Sequence, residues 1–243
     1  MRLRILTWNI HKCIGGVDRR YRPDRILDVL RHYDPDIALL QEVDAGARRS
    51  RSHHQAELLA GELGYAHQVF FPNVQVRGGG AYGNAVLSRH PLAAARNICL
   101  TYPGFKRRSV VHAVVHATRA GGRTHPVHVF NLHLGLSGFE RRWQLERFLG
   151  SHPFASLPLQ TPLVVGGDFN DVWGRLGRTY LEPAGFRSQL RPARTFPAIA
   201  PVRALDAMYV RGHARIRQIH RSQLALARFA SDHRPLIADL ELS

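Results

Sequence analysis

The sequence predicts an α/β fold, and three observations carry that prediction. Short runs rich in Val, Ile, Leu and aromatic residues recur along the chain, amphipathic helical stretches separate several of them, and Gly, Pro and Asp clusters punctuate the boundaries. The length of 243 residues suits a large α/β domain with a sizeable core, so residues 1–243 are expected to form one domain.

The opening strand is Leu3-Arg4-Ile5-Leu6-Thr7-Trp8-Asn9-Ile10. Asn is disfavoured in a strand, so Asn9 is either satisfied locally or faces a site. His11 and Lys12 lead into a Gly-Gly turn and a loop bearing Arg19, Arg20 and Arg22. Pro23 starts an amphipathic helix, with Ile26, Leu27, Val29 and Leu30 on one stripe, that ends near His32. Asp34-Pro35-Asp36 breaks the helix, and the apolar run Ile37 to Leu40 reads as a central strand ending in Gln41-Glu42-Val43-Asp44. Strand, helix and strand at this spacing make a βαβ unit, which puts Glu42 at the same end of the sheet as Asn9 if the strands are parallel. Glu42 is then either a ligand for a hard cation such as Mg²⁺ or an ordinary loop acid.

A loop with Arg48, Arg49 and Arg51 precedes a second helix from Gln55 to Leu63, closed by Gly64. Tyr65 to Phe71 reads as a strand, Val74 to Gly83 as a glycine-rich mobile loop, and Asn84 to Arg89 as a strand halted by His90-Pro91. Lys106, Arg107 and Arg108 precede the buried-looking strand that begins at Val110; cations there are either solvated ends or phosphate clamps. On the strand from Pro126 to Leu134 the period of two puts Asn131 and His133 on one face. Ser137 is expected to cap a helix running to Gly150, with Trp143, Leu145, Phe148 and Leu149 packed and Arg141, Arg142 and Arg147 more exposed.

Leu163-Val164-Val165 reads as a buried strand that Gly166-Gly167 ends in a tight turn, after which Asp168-Phe169-Asn170-Asp171 emerges. In extended chain Asp168 and Asn170 point the same way, a proton-transfer group beside a neutral donor; alternatively they close an Asx turn on their own backbone. A brief helix follows over Trp173 to Leu181, then a loop-rich segment carrying Arg187, Arg191 and Arg194. Asp206 sits inside the strand Ala204 to Val210, where an acid needs a partner. His233, in the polar triplet before the last strand, is the obvious one, since a buried carboxylate orients an imidazole and stabilises its charged form. Arg215 to Gln223 reads as an edge strand.

Lys plus Arg outnumber acids by 34 to 18, and Lys12 and Lys106 are the only lysines. Arginine's planar fork favours a polyanionic partner, although a genome-wide preference for arginine codons would produce the same bias. Two cysteines, Cys13 and Cys99, form neither a metal-like spacing nor a bridge framework. With no signal-peptide core and no run long enough for a membrane span, a cytoplasmic protein is expected, a monomer by default.

Taken together, TWNI, LLQEV, GNAVLSR, NLHLG, GGDFND, LDAMYV and SDHRPL resemble, in order from Trp8 to Leu236, the endonuclease/exonuclease/phosphatase or DNase I-like superfamily. The resemblance implies a four-layered α/β/β/α sandwich of two packed mixed sheets flanked by helices. It further implies metal binding by Glu42 with Asn9 and Asp232 near it, proton transfer by Asp168, and hydrogen bonding of the phosphoryl group by Asn170. His233, held by Asp206, would contact the scissile phosphate or act as base; His133 takes the phosphate-contacting position. Asn84 and Arg108 are implied in substrate binding, with Arg107 an equally good register. Mg²⁺ or Mn²⁺ is the implied cofactor, as one ion or two. His11 departs from branches that carry an acid after WN, which argues against the abasic-site endonuclease branch.

The expected activity is hydrolysis of phosphodiesters by in-line attack of an activated water, on DNA or RNA first and on a lipid head group, inositol phosphate or small metabolite second. The arginine loops favour nucleic acid; against it, few aromatics beyond Trp173, Phe186 and Phe196 are available for stacking bases. An inactive nucleic-acid-binding relative is least favoured, because Glu42, Asp168, Asp206, Asp232 and His233 are all present.

Overall fold

In chain order, the computed structural model runs β1 (Arg2–Asn9), α1 (Pro23–Tyr33), β2 (Ile37–Ala45), α2 (Gln55–Leu63), β3 (His67–Gln75) and β4 (Ala81–Ser88). β5 (Leu92–Cys99), β6 (Ser109–Thr118), β7 (Thr124–His133), α3 (Gly138–Leu149) and β8 (Leu163–Asp168) follow. The chain closes with β9 (Asp206–Arg211), β10 (Ala214–Arg221), α4 (Ala227–Ala230) and β11 (Leu236–Leu242). The structure describes residues 1–118, 122, 124–188 and 192–243, so Arg191 and Arg119 lie outside the described residues.

One sheet has six strands in the order β10-β11-β1-β2-β4-β3, the other five in the order β5-β6-β7-β8-β9. Both are mixed: β1 runs parallel to β2 and β7 parallel to β8, while the other pairings are antiparallel. Each parallel pair needs a crossover, and α1 and α3 supply them. Side-chain alternation then sorts the apolar residues into three cores. Leu3, Ile5, Ile37 and Leu39 meet Val129, Val164, Met208 and Val210 between the sheets. Leu6, Trp8, Ala38 and Leu40 face α1, α2 and α4, while Phe130, Leu132 and Val165 face α3. The result is the expected α/β/β/α sandwich.

Several local expectations are overturned. Val74 to Gly83 is not one loop, because Gln75 pairs with Ala81 across a short turn, and the antiparallel partner extends both strands. β5 is a further strand, mostly exposed and without strong alternation, that forms by pairing with β6 at the sheet edge. The helix expected over Trp173 to Leu181 shrinks to one wide turn, Gly177–Leu181. Ser137 precedes α3 but makes no capping hydrogen bond, and its hydroxyl is buried without a partner. Arg141 is buried rather than exposed, because its Nη1 donates to the carbonyls of Gly135 and Leu136.

Gly166 and Gly167 do not turn the chain; both lie in β8, where room is the constraint. A Cβ on Gly166 would come within 2.8 Å of Leu39 Cδ1 from the opposite sheet, and one on Gly167, at φ +149°, would overlap the Leu132 carbonyl. Gly167→Ala is therefore expected to cost about 3 kcal/mol or more. Thermal melting should show a midpoint lower by roughly 6–12 °C.

Candidate active site

At one edge of the sandwich the inter-sheet face stops being apolar. Asn9 follows Leu3 and Ile5 on β1, His133 follows Val127 and Val129 on β7, and Asp168 follows Val164 on β8. Asp206 opens β9 directly opposite Asp168. The same alternation that fills the core thus delivers four polar side chains to one place.

Asp168 is the hub. Its Oδ2 accepts a hydrogen bond from Asn9 Nδ2 at 3.1 Å and lies 3.4 Å from His133 Nε2 and 3.8 Å from His233 Nε2. Its Oδ1 accepts the Asn170 backbone N–H at 2.9 Å, so the Asx turn and the site-facing carboxylate are both present, one oxygen each. Burial raises the Asp168 carboxyl to about 6, His233 opposing and Asp206 reinforcing the rise.

His233 Nδ1 and Asp206 Oδ2 are 2.7 Å apart. Trp8 Nε1 donates to the His233 carbonyl and Ser231 Oγ donates to that of Asn9, tying the last loop to β1. Burial alone would lower the His233 imidazole, but the Asp206 and Asp168 carboxylates outweigh it and raise it to about 10, leaving an imidazolium at neutral pH. His133 goes the other way: burial, with Arg108 beside it, drives it well below its ordinary value, so it is neutral.

Glu42 stands where β2 bulges against β4, at φ +55°, beside the end of β1. Lys12 Nζ ion-pairs with its carboxylate. Burial favours the protonated acid, but the Lys12 ammonium outweighs it and holds Glu42 down at about 2. Asp232 is partly exposed, its Oδ1 3.3 Å from Ser231 Oγ and 4.0 Å from His11 Nδ1. Asn170 donates through Nδ2 to the Leu134 carbonyl, 2.9 Å away. Asn84 is buried, with Nδ2 donating to the Ser109 carbonyl. Of the two arginine registers, Arg108 is buried with Nε unpartnered and Arg107 is exposed.

The donor set suits a hard divalent cation. Glu42 is ionised, Asp232 is a partly exposed carboxylate, and Asp206 keeps a buried Oδ1 with no partner. Among the described residues, one atom each from Asp168, Asp206 and His233 also lie within 4.8 Å of one another.

Sequence reasoning did not identify the layer beneath the centre. Gln41 Nε2 donates to Asn131 Oδ1 at 2.7 Å and to Thr7 Oγ1 at 3.1 Å, and Asn131 Nδ2 donates to the Leu40 and Ala85 carbonyls. This bridge clamps the two sheets directly below the site. Polar residues on the core face of predicted strands were its only signal. Phe186 is also reassigned: it is buried against Phe154 and unavailable to stack a base, whereas Trp173 is 78% exposed.

Two packed mixed sheets with a carboxylate, imidazole and amide centre at their open edge define the DNase I-like architecture. A profile described as the Endonuclease/Exonuclease/phosphatase family matches residues 6–233, and the chain belongs to that family, whose members are phosphoester hydrolases and generally use divalent metal. It is similar to the uncharacterized protein YbhP of Escherichia coli K12, 31% identical over 256 residues, covering 98% of this chain and 96% of that one. Its fold matches an endonuclease/exonuclease/phosphatase from Beutenbergia cavernae at TM-score 0.81 and 26% identity, over 100% of this chain and 72% of that chain. It also matches the human Nocturnin catalytic domain with bound sulfate anion, at TM-score 0.73 and 25% identity, over 100% and 94% of the two chains. No described helix is long and apolar enough to cross a membrane.

Proposed function

We propose that this protein is a divalent-metal-dependent phosphodiesterase that cleaves nucleic acid endonucleolytically, by in-line attack of a water that Asp168 activates. The observation that carries the reading is one constellation: Asp168 Oδ2 lies 3.8 Å from His233 Nε2, and His233 Nδ1 lies 2.7 Å from Asp206 Oδ2. A His233 held as an imidazolium at neutral pH cannot be the base, which leaves Asp168 to take the proton from water. His233 then donates Nε2–H to a non-bridging oxygen, where negative charge builds during attack. Neutral His133 and the second N–H of the Asn170 amide bind the same phosphoryl group, and Arg107, Arg108 and Asn84 hold the flanking substrate. Glu42, with Asn9 and Asp232, would hold Mg²⁺ or Mn²⁺, which neutralises charge on the phosphate when bound. The sulfate bound by Nocturnin agrees with an anion site in such a fold.

The rate should follow a bell with pH. Activity rises as Asp168 loses its proton near pH 6, and falls as His233 loses its own near pH 10. A pH profile of kcat/KM that is flat between those values and beyond pH 10 would separate His233 from charge stabilisation. Glu42→Gln is expected to weaken Mn²⁺ binding by about tenfold or more, read as a shift of the metal titration midpoint; an unchanged midpoint removes Glu42 as a ligand.

The deciding experiment compares bis(p-nitrophenyl) phosphate, p-nitrophenyl phosphate and supercoiled plasmid with Mg²⁺ or Mn²⁺. Plasmid nicking that falls steeply with salt is expected, because arginines that neutralise the substrate phosphates release condensed counterions into solution. Cleavage of the small diester alone would overturn the nuclease assignment. One observation favours a lipid head group instead: Phe105, Leu136, Phe139 and Trp173 are 43%, 76%, 54% and 78% exposed on segments at the site end of the five-stranded sheet. Phosphatidyl substrates in vesicles test that second reading in the same assay.

A further inference from the structure

The two lysines of this chain converge on one aromatic ring. Lys12 follows β1 of the six-stranded sheet and Lys106 precedes β6 of the five-stranded one. Yet Lys106 Nζ lies 5.0 Å and Lys12 Nζ 5.8 Å from the centroid of Tyr82, which is mostly buried on β4. Arg49 Cζ lies 5.2 Å from the same centroid.

The charges around this ring do not cancel. Arg49 is bound in a two-bond fork by Asp44, at 2.7 and 2.9 Å, and Lys12 pairs with Glu42. Among the described residues no carboxylate lies within 4.0 Å of Lys106, so a net positive charge is left over the ring. Lys12 also stands on a stretch of three consecutive left-handed residues, His11, Lys12 and Cys13, with φ of 46°, 62° and 58°. Non-glycine residues occupy that region at a cost of roughly 1–2 kcal/mol each, so the loop is held there by its surroundings.

Composition adds a second, independent line. Every other Lys-or-Arg position of the chain holds arginine, whether for chemical or genomic reasons. A bias of that kind acts wherever any cation serves, and the two positions that retain lysine both lie against the Tyr82 ring. There, beside the carboxylate-bound Arg49, a compact ammonium with rotatable donors leaves more room for a tetrahedral anion than a wide planar fork would.

We propose that Lys12 and Lys106, gathered against the ring of Tyr82, form a subsite for a second phosphate group, carried by the substrate next to the phosphate that is cleaved. The proposal rests on the phosphoesterase reading for the identity of the anion. The shared ligand chemistry is a phosphate monoester or diester adjacent to the scissile one, and a nucleotide or a phosphorylated polyol can supply it. The purely structural alternative, in which Lys12 only neutralises Glu42, gives Lys106 no role and no preference for a second phosphate.

Titration calorimetry on the full chain at fixed Mg²⁺ separates these. The probes are thymidine 3′,5′-bisphosphate against thymidine 5′-monophosphate, and inositol 1,4-bisphosphate against inositol 1-phosphate. In one pair at least, the bisphosphate should bind about tenfold tighter. Lys106→Met, an exposed position that leaves the fold intact, and Lys12→Met should each bring that ratio towards one, and Lys106→Arg should not restore it. A preference confined to one pair supports the subsite and names its source. Equal affinities within both pairs, or a ratio unchanged in Lys106→Met, overturn the proposal. Turnover of bis(p-nitrophenyl) phosphate by the unmodified protein is scored separately. Absent turnover with an intact bisphosphate preference removes the hydrolase and keeps the subsite; turnover without preference does the reverse.

Discussion

Asp168→Asn is expected to lower kcat on bis(p-nitrophenyl) phosphate about a thousandfold while the protein melts no lower than the parent. The loss follows from removing the group that accepts the proton of water, since positioned bases contribute about 10²–10⁴ in rate. The unchanged or higher melting temperature follows from burial. Asp168 is 1% exposed and its carboxyl is raised to about 6, so at neutral pH the fold carries an ion that its surroundings penalise. Asparagine keeps an oxygen for the Asn170 N–H and carries no charge, and the one acceptor it withdraws from Asn9 Nδ2 is set against relief of the buried ion. A variant that retained a tenth of the activity would remove Asp168 as base, and one that melted far lower would show that the carboxylate is structural.

His233→Ala should abolish turnover and also destabilise, for two different reasons. The activity loss, about 10³-fold or more, comes from withdrawing an imidazolium donor from the developing charge. The stability loss comes from Asp206, 2% exposed and 2.7 Å from His233 Nδ1, which would be left buried without its partner at a cost of roughly 3–5 kcal/mol. Adding Asp206→Asn to that variant removes the orphaned charge. The double variant is expected to regain most of the melting temperature and none of the activity. Recovery of neither would mean that the pair does not carry the stability argued for it.

Much of the candidate site was legible because strand alternation is local. A polar residue placed in register with core positions, as with Asn9, His133 and Asp168, has to face whatever the core faces. Asp206 was legible by cost: an acid inside a strand demands a partner, and the sequence offered His233. The glycines were misread for lack of neighbours. Gly166 answers to Leu39 in the other sheet and Gly167 to the backbone of β7, and neither contact is visible along β8. β5 was missed because an edge strand takes its conformation from its partner more than from its own residues. Arg141 looked like an exposed helix residue until the turn before α3 presented two carbonyls to it.

By itself the sequence determined the alternation of strands and helices, the apolar faces, and the inventory of acids, imidazoles and amides, since each depends on residues near one another in the chain. Only the tertiary structure decided which of them meet. β1 is parallel to β2 and antiparallel to β11, so Asn9, Glu42 and the Asp232–His233 loop come to one edge through pairings that no local window contains. The charge states follow from that meeting: the same imidazole is held charged at His233 by two carboxylates and neutral at His133 by burial beside Arg108. Lys12 and Lys106, unremarkable in the chain, meet over Tyr82 because two sheets bring their loops together. Electrostatic energy depends on distance and burial, and both are properties of the folded chain.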